Sequence, residues 1–72
     1  MEEIKKITIG QKVKNIRKER KIKQYELAEK SDYTATALSL LENDVNEPFL
    51  GTIRRVAEAL DMEMSELLEG VK

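Results

Sequence analysis

Ile9, Val13 and Ile16 stand four and then three positions apart in a stretch otherwise rich in polar side chains. That spacing puts them on one face of an α-helix, with Lys12, Lys14, Lys18 and Lys21 on the polar remainder. Thr8 precedes the stripe and suits the N-cap, where a hydroxyl accepts from the unpaired N–H groups of a first turn. A second, short helix is predicted from about Gln24 to Lys30, burying Leu27 and Ala28. Ser31 and Asp32 then supply turn chemistry, and Thr34 is the natural N-cap of a third helix with Leu38 and Leu41 turned inward. "NDVNEP" reads as a loop, because Asn and Asp tolerate left-handed backbone and Pro48 ends pairing. Leu50, Ile53, Val56, Ala57 and Leu60 mark a fourth helix; Met64, Leu67, Leu68 and Val71 mark a short fifth. The pattern predicts an all-α bundle of five short helices over 9–69. Residues 1–8 form a lead-in, strand or arm, and 70–72 form a tail.

Two helix starts lack a good cap. Lys23 precedes the second helix and Phe49 the fourth, where Ser, Thr, Asp or Asn would stabilise by about 1 kcal/mol. Such an end depends on packing, or on a ligand for its N–H groups, and a phosphate fits that role.

Composition narrows the chemistry. The 72 residues make one small domain with a modest core. With neither Cys nor His, thiolate or imidazole metal sites and the usual catalytic base are excluded. Ser31, Ser39 and Ser65 therefore have no activating partner, and no cofactor or metal is implied. "MEEIKKITIG" has no continuous apolar run, so neither a signal peptide nor a membrane span is expected, and the chain is read as cytoplasmic. The net charge of −1 hides an asymmetry: residues 1–23 hold nine basic and three acidic side chains, residues 24–72 four and eleven. Such a split suits a basic surface for a polyanion, although a solvated lysine-rich helix face gives the same count.

Against this charge, Thr34–Leu41 carries none. The segments "IRKERKIKQYELAEKS", "TATALSLLEN" and "EPFLGTIRRVAEALDMEMSELL" together resemble the lambda-repressor-like (Cro/cI type) helix-turn-helix family, from Ile9 to Leu68. The register of Gln24, Leu27, Ala28, Leu38, Glu42, Pro48, Ile53, Ala57, Leu60 and Leu67 fits without a gap. The resemblance implies a central helix-turn-helix in which the second helix braces on the DNA backbone and the third lies in the major groove. It places Ala35, Thr36, Ser39 and Leu40 toward base edges, and Lys23, Gln24, Tyr25, Thr34 and Asn43 near phosphates. It also pairs Arg17 with Glu42 as a partly buried ion pair between the first and third helices. The implied partner is double-stranded DNA, read by a homodimer because two half-sites about 34 Å apart need two copies. Met62, Met64, Leu68 and Val71 are the dimer candidates, since Met suits adaptable interfaces.

The sequence also departs from that family. Ala35, Thr36, Ser39 and Leu40 include no long donor for a bidentate base contact, so readout should favour thymine methyl groups. Asp44 and Glu47 would set two acids beside a phosphate backbone. Positive charge would then come from Lys21 and Lys23, or from Lys5 and Lys6 on the lead-in. These departures keep a protein partner as the alternative, with Ala37, Leu40 and Val45 forming an apolar patch.

Overall fold

The computed structural model describes residues 7–45 and 48–71. The expected lead-in up to residue 6, with its Lys5 and Lys6, lies outside them, as do Asn46, Glu47 and Lys72. Among the described residues five helices follow one another: α1 (Ile9–Glu19), α2 (Gln24–Lys30), α3 (Ala35–Glu42), α4 (Leu50–Ala59) and α5 (Met64–Leu68). Among the described residues the only strand-like pairing is a parallel bridge between Ile7 and Val71.

Local chemistry sets each helix start. Thr8 Oγ1 accepts from the Gln11 N–H at 3.1 Å, while the Gln11 side chain accepts from the Thr8 N–H at 3.2 Å, a reciprocal capping box. Thr34 Oγ1 accepts from the Ala37 N–H at 3.0 Å. The lysine at the α2 N-cap has no acceptor to offer, and only the reverse bond forms, from the Lys23 N–H to the Glu26 carboxylate at 2.8 Å. Phe49 at the start of α4 makes no side-chain cap at all.

The ends of α1 to α4 share one device. The residue after each C-cap, namely Lys21, Asp32, Asp44 and Asp61, has φ of 58°, 63°, 60° and 59°. The N–H groups that follow, of Ile22, Tyr33, Val45 and Met62, return to the carbonyls of Arg17, Ala28, Leu40 and Ala57 at 2.7–3.0 Å. This is the Schellman arrangement, in which glycine is the usual left-handed residue. Lys21→Gly is therefore expected to stabilise by about 0.5–1 kcal/mol, the left-handed penalty less the added chain entropy. The melting midpoint should rise by roughly 2–8 °C; a fall would show that the lysine side chain contributes more than its backbone costs.

The core is Val13, Leu27, Ala28, Leu38, Leu41, Val56, Ala57, Leu60 and Leu67, all buried. Two sequence expectations need correction. Leu50 does not join the inward stripe of α4; it opens the helix and stays exposed, and the stripe begins at Ile53. Val71 is not on α5, because the helix ends at Leu68 and Gly70 turns the chain with φ of 78° toward Ile7.

α1 crosses α3 at Gly10. A Cβ there would collide with the Leu41 carbonyl oxygen and stand 2.6 Å from a carboxylate oxygen of Asp44. The crossing thus depends on the absence of a side chain at residue 10.

Candidate nucleic-acid interface

The frame of the interface is a buried ionic cluster. Arg17 Nε donates to Glu42 Oε2 at 2.8 Å, Arg17 Nη2 to Glu42 Oε1 at 3.0 Å, and Arg17 Nη1 to the Ile22 carbonyl at 3.0 Å. The side chains are 11% and 1% exposed, so both charges are largely removed from water. Gln24 Nε2 adds a bond to Glu42 Oε1 at 3.1 Å. One carboxylate at the C-terminal end of α3 thereby gathers α1, the turn after it, and the first residue of α2. The Gln24 amide thus gives one N–H to Glu42 and keeps a second.

On the frame, α3 presents two faces. Leu38, Leu41 and Glu42 are buried, while Ala35 and Thr36 are exposed and Ser39 is half-buried. Thr34 sits at the N-cap and Asn43 at the C-cap. Thr34 Oγ1 is used as an acceptor, so its hydroxyl proton remains available; Asn43 Nδ2 donates to the Ser39 carbonyl at 2.8 Å. Lys23 and Tyr25 are both exposed at the start of α2. Asp44 is exposed in the turn after α3. Its carboxylate lies over Gly10 in the first turn of α1, a helix with no acidic residue of its own there. A carboxylate is favoured at that positive helix end.

Leu40 differs from the other candidates on the outward face of α3. It lines an apolar cleft of about 280 Å³ with Tyr33, Ala37, Leu41, Pro48, Phe49 and Thr52. The Tyr33 hydroxyl bonds to Thr52 Oγ1, and the Arg55 guanidinium lies 5.4 Å from the Tyr33 ring centroid, so this lining residue is tied to α4. Phe49 is 84% exposed and Leu50 61%, with Val45 nearby in sequence and equally bare. Sequence reasoning missed Phe49 and Leu50 as surface features. The available signal was an aromatic at a poorly capped helix start, followed by a leucine that the inward stripe does not need. The four dimer candidates are less open: Met62 and Met64 pack against the core, and Leu68 and Val71 are half-buried.

The helix-turn-helix family profile matches residues 13–67, which take in α2, α3 and α4 whole and most of α1 and α5. The chain belongs to the helix-turn-helix family. The immunity repressor protein of Bacillus phage phi105 is 42% identical over 62 residues, covering 86% of this chain and 43% of that protein. The chain thus spans less than half the length of that relative. The solution structure of the DNA-binding domain of the P22 c2 repressor superposes with a TM-score of 0.84 at 26% identity, covering 92% of this chain and 87% of that one. SinR, a master regulator of biofilm formation solved in complex with DNA, gives a TM-score of 0.77 at 34% identity, covering 85% and 98%. These helix-turn-helix relatives are regulators rather than enzymes. No described helix is long and apolar enough to cross a membrane.

Proposed function

We propose that this chain is a cytoplasmic transcriptional repressor that binds operator DNA as a homodimer, with α3 in the major groove. The observation that carries the reading is the outward face of α3, uncharged, with the helix capped by Thr34 at its start and anchored at its end by the buried Arg17–Glu42–Gln24 cluster. Similarity to a phage immunity repressor, and to a regulator solved on DNA, supports it.

Base contacts fall to Ala35, Thr36 and Ser39. Ala35 and the Thr36 methyl pack on thymine C5-methyl groups, and the two hydroxyls make single hydrogen bonds. Leu40 also lines the cleft beside α4 and adds its exposed part. Phosphates are met by Lys23, the Tyr25 hydroxyl, the Thr34 hydroxyl proton, the remaining N–H of Gln24, and Asn43. Such contacts position the protein without reading sequence. Direct readout is thus modest and biased to A·T pairs, and pairing two half-sites supplies the rest of the specificity.

Selection from a random duplex pool tests this reading. Enrichment of a near-palindromic, A·T-rich site is expected. Recovery of unenriched duplexes would contradict sequence-specific repression, and recovery of none would contradict DNA binding altogether.

A further inference from the structure

Resting on the operator-binding reading above, we infer that Asn43 fixes the Ser39 hydroxyl as a hydrogen-bond donor, so that each half-site is read for a base acceptor, and against cytosine, at the pair facing Ser39. Asn43 Nδ2 lies 2.8 Å from the Ser39 carbonyl oxygen and 3.4 Å from Ser39 Oγ. A carbonyl can only accept, so the nitrogen of the amide, not its oxygen, faces Ser39. The same nitrogen therefore donates to the hydroxyl oxygen, and one N–H can serve both acceptors as a three-centre bond. The second N–H stays free for a phosphate. Ser39 Oγ thus has a lone pair occupied, while its proton meets no acceptor among the described residues.

Ser31, at the end of α2, shows what a serine does without such a neighbour. Its hydroxyl donates back to the Leu27 carbonyl at 2.7 Å and to the Ala28 carbonyl at 3.2 Å, which leaves only lone pairs to offer. Ser39 released from Asn43 would turn in the same way toward the Ala35 carbonyl, one helical turn back, and would then present an acceptor. The two states read opposite chemistry. A donor meets purine N7, guanine O6 or thymine O4, whereas an acceptor meets the amine of cytosine N4 or adenine N6. Asn43 is exposed at the C-cap of α3, so one side chain joins a backbone contact to the setting of a base contact. The bond to Oγ is long, and the preference it imposes is that of one ordinary hydrogen bond, roughly three- to tenfold.

Competition binding of the full chain with four duplexes tests this. They carry the selected site and differ only at the pair where Ser39→Ala removes the preference. The parent should disfavour cytosine there, on the strand facing Ser39, by roughly three- to tenfold. Asn43→Ala should reduce that discrimination to less than about twofold and leave the preferences at other pairs in place. Adding Asn43→Ala to Ser39→Ala should change nothing further at this pair, because the amide acts through the hydroxyl. Asn43→Ala binding that is weaker for all four duplexes equally, with the discrimination kept, is the mark of a phosphate contact alone and overturns the inference. So does a parent that accepts cytosine as readily as thymine at that pair, or a Ser39→Ala chain that keeps every preference. Enrichment of no site in the random pool is a separate failure, which removes the operator reading itself. A selected site at which Asn43→Ala discriminates like the parent overturns only the positioning role.

Discussion

Arg17→Met is expected to lower the stability of the fold by about 3–5 kcal/mol, because it leaves the Glu42 carboxylate buried with the Gln24 amide as its remaining side-chain partner. A domain of this kind has roughly 5–15 kcal/mol in total, and small ones lie at the low end. The melting midpoint should fall by at least about 12 °C, taking 4 °C per kcal/mol for a chain of this length. The double variant Arg17→Met with Glu42→Leu should lose much less. Replacing both members of a buried pair by apolar groups removes the stranded charge, although the Ile22 carbonyl and the Gln24 amide still lose their partners. A single variant that melts within about 2 °C of the parent would show that the charges are hydrated rather than paired.

Gly10→Ala is the second large effect. In an exposed helix, alanine in place of glycine stabilises by up to about 1 kcal/mol. Here the sign reverses, since the added methyl meets a backbone oxygen of Leu41, and the backbone of one helix must move against the other. Overpacking of this kind costs about 1–3 kcal/mol. The displaced partner is α3, so Gly10→Ala should weaken operator binding by more than the lost stability explains when measured well below the melting point. Asp44, which leans over the same residue, would have to swing away from α1. A variant that melts higher than the parent would mean that α1 and α3 do not cross closely at residue 10.

The helix count and most of the core were legible in the sequence, for a physical reason. Val13, Leu27, Leu38, Val56 and Leu67 fall at helical spacings between residues that cap or break helices, and Thr8 and Thr34 act as the caps that their side chains suit. The Arg17–Glu42 pairing followed from the family resemblance, since no local spacing links residues on separate helices. What sequence could not show is where side chains turn once the helices pack. The Gln24 amide bonds to Glu42, and a carboxylate oxygen of Asp44 lies over Gly10 of α1. Both are short-range choices of polar groups among partners that exist only in the folded chain. Leu40 and Leu50 illustrate the limit of periodicity. Each lies next to the inward stripe of its helix, yet Leu40 lines a cleft and Leu50 stays exposed rather than filling a core.

The most direct test of the central claim is the affinity of the chain for its selected duplex at about 50 and 200 mM salt, beside a scrambled duplex of equal composition. A dimer neutralising roughly six phosphates should lose about a thousandfold in affinity over that range and should prefer the selected duplex at both salts. Affinity that does not change with salt, or that is equal for the two duplexes, would contradict an operator-binding repressor built on α3.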